Sequence, residues 1–217
     1  MNKTLLTLIM AVTMALPANA ITAREAFVRL ASPSLNLLTL DMRQDLLSYY
    51  DADTLRQVPN ALAGLSQLTR PVTDSYLKVR ITPVSTMTIK ILPHKNDTIV
   101  ATVYTIASPG QAADSQVSFY DSKMNRLSDD KYLKMAQIDE FIETPHNRQG
   151  RELKKELLSA IPYPTVEYTL TPESDDLTAR LTVADYLGAE TMQQLKHYLR
   201  PELVYIWKND RKFELRK

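Results

Sequence analysis

Thr86-Met87-Thr88-Ile89-Lys90-Ile91-Leu92-Pro93 is the stretch whose reading decides the fold. Met87, Ile89 and Ile91 alternate with Thr88 and Lys90. A period of two puts the apolar side chains on one face of a strand and the polar ones on the other. Just upstream, Leu77, Val79 and Ile81 alternate with Tyr76, Lys78 and Arg80 in the same way. Downstream, His94-Lys95-Asn96-Asp97 reads as a polar turn, and residues 98–106 return as a largely apolar strand expected in the middle of a sheet. Residues 107–114, with Pro109-Gly110, read as a loop, and Val117 and Phe119 mark a further strand ending at Tyr120-Asp121.

A second stretch has the same layout. Thr165-Val166-Glu167-Tyr168-Thr169-Leu170-Thr171-Pro172 alternates, turns at Pro172-Glu173-Ser174-Asp175-Asp176, and returns through Leu177, Ala179, Leu181 and Val183. Each stretch is preceded by a helical pattern containing Leu-Leu-Ser (46–48 and 157–159) and followed by a third strand, 117–120 or 204–207. A helix-plus-hairpin-plus-strand unit used twice, over about 40–127 and 150–215, accounts for the likeness. So does the binary pattern that all antiparallel hairpins share. Either way the expected class is α+β, antiparallel sheet with helices packed on one face.

The helices have legible ends. Thr22-Ala23-Arg24-Glu25 matches a capping box, with Ala26, Phe27 and Leu30 on one face and Pro33 beyond the end. A second helix is expected from Asp41, a good N-cap, to about Tyr50, with Met42, Leu46, Leu47 and Tyr50 as its apolar face. Residues 51–75, with Pro59-Asn60, Gly64 and Pro71, read as a long connection. Helical patterns return at 137–143, at 151–161 before Pro162 and Pro164, and at 191–199. A last strand at 203–207 is followed by a polar turn.

Residues 1–20 read as a signal peptide: Lys3, an apolar run over 5–16, then Ala18 and Ala20 at the positions a signal peptidase reads. Residues 21–217 are then a single exported domain, in the periplasm or outside the cell. No later stretch is long and apolar enough to span a bilayer, so no transmembrane segment is expected after cleavage. The chain has no Cys, which excludes disulfides, cysteine nucleophiles, thiolate zinc sites and lipidation at the cleavage point. Its 26 Lys and Arg are interleaved with 25 Asp and Glu, leaving no basic stripe for a nucleic acid.

Several runs together carry a resemblance. They are Leu40-Asp41-Met42-Arg43-Gln44-Asp45-Leu46-Leu47-Ser48-Tyr49-Tyr50, Asn60-Ala61-Leu62-Ala63-Gly64-Leu65-Ser66, Ser85 to Pro93, and Asp114-Ser115-Gln116-Val117-Ser118-Phe119-Tyr120-Asp121. The chain resembles a family of secreted proteins of Bacteroidetes-type bacteria, catalogued as a domain of unknown function. The similarity covers about residues 24–215 and is densest over 40–127; the later half matches mainly through Tyr198-Leu199, Pro201 and Trp207. The resemblance implies an exported compact domain and carries over no catalytic residue.

Signals for chemistry are sparse. His94, His146 and His197 are far apart with no ligand spacing, and there is no Gly-x-Ser-x-Gly elbow. Four Gly in all leave no phosphate-cradling loop. Glu173, Asp175 and Asp176 lack the spacing of a calcium loop and read as a solvated turn, and Asp41 and Asp45 as an N-cap and its neighbour. No catalytic residue, metal site or cofactor is therefore expected, and an enzyme is the lesser expectation.

The suggestive feature is aromatic: 11 Tyr against 4 Phe and 1 Trp, and Tyr suits interfaces. The candidate ligand-binding residues are Tyr49 and Tyr50, Asn60 in the adjoining connection, and Trp207, the last reading more as core than as a sugar-stacking platform. The leading expectation is a non-enzymatic binding or interaction module, its ligand an envelope protein or peptide, presenting a sheet face or groove lined by Tyr. The alternatives are an envelope hydrolase acting on polysaccharide or peptide, and a structural subunit of an envelope assembly. Oligomeric state is left open.

Overall fold

In the computed structural model, which describes residues 20–208 and 212–216, the alternating segments become two antiparallel meanders. The leader expected at 1–20 lies outside the described residues, Ala20 excepted. The first sheet has six strands in spatial and chain order: β1 (Val58–Pro59), β2 (Leu65–Thr69), β3 (Tyr76–Thr82), β4 (Ser85–His94), β5 (Asp97–Ile106) and β6 (Asp114–Asp121). The second has four: β7 (Val166–Leu170), β8 (Leu177–Leu181), β9 (Leu203–Trp207) and β10 (Phe213–Leu215), likewise consecutive in space. The helices are α1 (Ala23–Arg29), α2 (Leu40–Asp51), α3 (Arg148–Ser159) and α4 (Ala189–Leu195). The chain adopts the α+β class and antiparallel pairing expected of it.

Alternation gives the first sheet two different faces. Leu77, Val79, Ile81, Met87, Ile89 and Ile91 meet Phe27, Leu30, Leu35 and Leu46 of the helical layer in one core. Leu92, Ile99, Ala101, Val103, Val117 and Phe119 point the other way and meet Tyr168, Leu170, Leu177, Ala179 and Trp207 in a second. Helices thus cover one face of this sheet and the second sheet covers the other. Burial on both sides is why β5 carries Ile99, Val100, Ala101 and Val103 in nearly unbroken succession.

Among the described residues two cations are buried, one within the helical layer and one between the two sheets. Arg43, on α2, is 8% exposed and donates only to backbone carbonyls. Lys90, on the polar side of β4, is 2% exposed, and its Nζ donates to the carbonyls of Thr171 (3.1 Å) and Pro172 (3.3 Å) at the β7–β8 turn. It also pairs with Asp175 at 3.3 Å.

Among the described residues the second core buries three tyrosines, Tyr132, Tyr168 and Tyr205. The Ala136 amide donates to the Tyr168 hydroxyl at 2.8 Å, and burial pushes the Tyr168 phenol up to about 12 from an ordinary 10.0. Burial raises Tyr205 as well. The folded chain keeps these protons where the unfolded chain sheds them, so the stabilisation is fully present below pH 10 and lost as pH climbs toward 12. A shift of two units is worth about 2–3 kcal/mol. Stability from urea unfolding is expected to fall between pH 9.5 and 12, with a shallower fall in Tyr168→Phe; an equally steep fall in the variant would contradict the assignment.

Several expectations need correction. Residues 51–75 are not merely a connection, because β1 and β2 lie within them. β1 is a two-residue edge strand and β2 beside it has five residues, with Asn60 and Gly64 in the turn between them, so neither carries enough pattern to show its alternation. Thr39, not Asp41, caps α2, its hydroxyl accepting from the Met42 amide at 3.3 Å. The pattern at 137–143 is only a 3-10 turn, Ile138–Phe141, and α4 is displaced from 191–199 to Ala189–Leu195. The chain after Trp207 returns as β10, pairing Phe213 with Trp207.

Candidate functional site

The face of the first sheet that packs on the helices changes character along β5. Side chains two apart share a face, so Val100, Thr102, Tyr104 and Ile106 all point toward the helical layer. Val100 is fully buried, Thr102 is buried, Tyr104 is half-buried and Ile106 is 49% exposed. The registers Thr102↔Ser118, Tyr104↔Gln116 and Met87↔Tyr104 carry the same change onto β6 and β4. The helices stop covering the sheet here, and a groove of about 250 Å³ opens.

The groove is built on paired strands. Met87, Thr102 and Ser118 form its floor, and Tyr104 and Gln116 its open end. Ser32, Pro33 and Ser34, from the 3-10 turn between α1 and α2, form one wall, and Tyr120 and Arg126 close the far end. The Arg126 guanidinium lies 5.4 Å from the Tyr120 ring centroid and holds Asp129 through two hydrogen bonds of 2.7 and 2.6 Å. The bond to Asp129 raises the pKa of Arg126 against the opposing effect of burial. Arg126 also donates to the Ser118 hydroxyl at 3.2 Å, and the Thr102 hydroxyl donates to the Ser118 carbonyl at 3.3 Å. The side chains of Ser34, Tyr104 and Gln116 have no hydrogen-bond partner among the described residues.

None of the four residues singled out in the sequence lines this groove. Asn60 is 4% exposed and fastens the β1–β2 turn: its Oδ1 accepts from the amides of Leu62 (3.0 Å) and Gly64 (3.1 Å), and its Nδ2 donates to the Ile81 carbonyl (2.9 Å) and Ser66 hydroxyl (3.2 Å). A side chain on Gly64 would meet Asn60 at 3.2 Å, so the two residues belong to one device. Asn60→Ala is expected to cost about 2–3 kcal/mol, because buried backbone groups lose their partner. Thermal unfolding reads that loss, and ligand affinity of the folded variant is expected to stay at the wild-type value.

Trp207 is core: 5% exposed, its indole N–H donating to the Pro93 carbonyl at 2.7 Å and its ring edge-on to Phe213. Tyr49 and Tyr50 lie at the end of α2, away from the groove lining. The Tyr50 hydroxyl accepts from the Val72 amide at 2.9 Å, and the guanidiniums of Arg24 and Arg70 lie 5.5 and 5.6 Å from its ring centroid. Those cations pair with Asp51 and Asp53. Arg56 sits 5.4 Å from the Tyr49 ring centroid, so the tyrosines hold down the 51–75 segment. The groove residues did carry a signal, since a face that is apolar at Ile89, Ile91 and Val100 turns polar at Thr102, Gln116 and Ser118.

A larger groove of about 430 Å³ lies beside α3, lined by Asp139, Glu140, Glu143, His146, Arg151, Lys154 and Arg200 among others. Its charges are largely engaged: Arg200 with Glu143 at 3.4 Å, Lys134 with Glu140 at 3.8 Å, and Lys154 with the Asp139 carbonyl at 2.5 Å. Asp175 and Asp176 of the acidic turn face Lys90 and Arg216. Among the described residues no group of three or more metal-ligating side chains is placed to hold an ion, and no helix is long and apolar enough to cross a membrane.

A family described as protein of unknown function (DUF3256) matches residues 15–213. The chain belongs to this family. The resemblance read over residues 24–215 is thereby the family found. Among solved structures, the chain is similar to a domain of an uncharacterized protein from Porphyromonas gingivalis W83, with a TM-score of 0.75 over 91% of this chain and 98% of that one. At 22% identity the likeness is one of fold. No curated protein matches the chain.

Proposed function

We propose that this member of the family is an exported, non-enzymatic binding module whose binding surface is the groove over β5 and β6. The observation that carries the reading is the polar, partly open end of a sheet face that is otherwise sealed by helices. A face used only for packing would continue its apolar alternation to the strand ends. Here Thr102, Tyr104, Gln116 and Ser118 interrupt it in register before the exposed Ile106. Strand pairing holds the floor rigid, so the site is preformed and little conformational entropy is lost on binding. Export is supported by the order of charge, apolar run and small residues across 1–20.

Affinity capture from an envelope extract of the source cells tests this reading, with Tyr104→Ala and Tyr49→Ala beside the parent protein. The captured ligand is expected to be lost with Tyr104→Ala, a drop of about tenfold or more in affinity, and kept with Tyr49→Ala. The opposite pattern would move the surface to the end of α2. Capture unaffected by Tyr104→Ala would remove the groove.

One observation favours a hydrolase instead: Asp139, Glu143 and His146 share the charged groove beside α3. Acid–base chemistry needs one such group within reach of a substrate proton. Glu143→Gln and His146→Ala would then each abolish turnover of a polysaccharide or peptide from the same extract.

A further inference from the structure

We infer that the groove over β5 and β6 accepts an uncharged, hydroxyl-rich ring, a neutral saccharide unit seated against Tyr104. The inference rests on the reading of that groove as the binding site, and it replaces the envelope protein or peptide expected from the sequence. Charge is the first argument. Among the described residues Arg126 is the one charged side chain lining the groove, and both of its terminal nitrogens are engaged by Asp129 at 2.7 and 2.6 Å. An anionic ligand would have to displace a carboxylate already held in two-point geometry. A cation would enter beside a guanidinium.

Hydrogen-bond chemistry is the second argument. The side chains left without partners are hydroxyls and one amide: Ser34, Tyr104 and Gln116. The Ser118 hydroxyl accepts from Arg126 and keeps its own proton to donate. Groups that both donate and accept match sugar hydroxyls, which do the same. An extended peptide is best recognised by a free strand edge, where unpaired N–H and C=O groups continue the ladder. This groove lies on the face of β5, whose backbone is already paired with β4 and β6.

Shape is the third. Small-molecule pockets run to about 300–1,000 Å³, so a groove of about 250 Å³ takes one ring. Further rings would lead out past Gln116 and Ile106, where the sheet face is open. Part of the Tyr104 side chain rests on the core and the rest lines the groove, with the exposed Pro33 beside it. These supply apolar contact for the C–H face of a sugar ring.

Titration calorimetry on the purified protein tests the inference with matched probes: glucose against glucuronic acid, and N-acetylglucosamine against glucosamine, each with its neutral disaccharide. At least one neutral probe is expected to bind, with its charged counterpart tenfold or more weaker. Tyr104→Ala is expected to lose tenfold or more. Gln116→Ala, an exposed site that leaves the unfolding midpoint unchanged, is expected to lose threefold or more. Binding of charged probes in preference to neutral ones, or of no neutral probe up to its solubility, would overturn the ligand class. A pool of uncharged peptides separates the two levels of the argument. Peptide binding that Tyr104→Ala abolishes, without sugar binding, overturns the saccharide and leaves the groove standing. Binding of any probe that both variants leave intact overturns the groove as well.

Discussion

Arg43→Ala is expected to lower the unfolding free energy by about 3–5 kcal/mol, because several buried carbonyls lose a charged donor at once, each such loss costing about 1–3 kcal/mol. At about 2–4 °C per kcal/mol for a chain of this size, the melting temperature should drop by about 6–20 °C. The reason lies in what Arg43 touches. Its Nη1 donates to the carbonyls of Leu30 (2.7 Å), Phe27 (3.1 Å) and Val28 (3.4 Å), at and just beyond the end of α1. Its Nη2 reaches the Leu35 carbonyl (3.3 Å) and its Nε the Leu38 carbonyl (3.0 Å). Helix ends leave carbonyls without intrahelical partners, and one planar guanidinium satisfies those of α1 together with the turn that follows. The partial negative charge at the end of a helix favours a cation there. Burial lowers the Arg43 pKa, but the guanidinium remains charged.

Arg43→Lys is expected to recover less than half of the loss, because a point charge cannot reach five carbonyls set out for a fork. Chemical denaturation of the three proteins reads this directly; a loss under about 1 kcal/mol in Arg43→Ala, the ordinary value for one hydrogen bond, would refute the role. Function enters as well. Arg43 fixes the turn that carries Ser32, Pro33 and Ser34, so a folded Arg43 variant should bind the groove ligand more weakly than the parent.

Lys90→Met should cost about 2–3 kcal/mol, less than Arg43→Ala although Lys90 is the more buried residue. Its carboxylate partner, Asp175, has a side chain 39% exposed and can regain water once the ammonium is gone. The carbonyls of Thr171 and Pro172 then bear most of the loss. Since Lys90 joins β4 to the β7–β8 turn, hydrogen exchange should quicken in β7 and β8 before it does in β3 and β4. Asp175→Asn should cost only about 0–1 kcal/mol, as befits a partly exposed partner. In the double variant the two losses should fall short of their sum, because both act on one interaction.

How much of this was legible in the sequence depended on which part of the physics was local. The strands from Tyr76 to Asp121 and from Val166 to Leu181 show their alternation in the sequence, because each has at least one buried face. The capping box at Thr22 and Glu25 was equally local and is present in both halves. β1, β2 and β10 were missed because strands of two to five residues, at or next to a sheet edge, carry too little pattern. Arg43 and Lys90 look like ordinary wet positions, and only tertiary packing encloses them. The residues singled out in the sequence lie outside the groove for a related reason. Asn60 stood out because it serves a buried turn and Trp207 because it fills a core. The turn from apolar to polar on the face that holds Tyr104 and Gln116 is visible in the sequence, but it points to a groove only once the end of the helical cover is known.

Whether β5 and β6 carry the binding surface is read most directly by amide and side-chain NMR shifts of the labelled protein on addition of the ligand that affinity capture retains. Shifts are expected to cluster at Ser34, Thr102, Tyr104, Gln116 and Ser118, with none at Tyr49, Arg56 or His146. Shifts confined to the end of α2, or to the charged groove beside α3, would contradict the account.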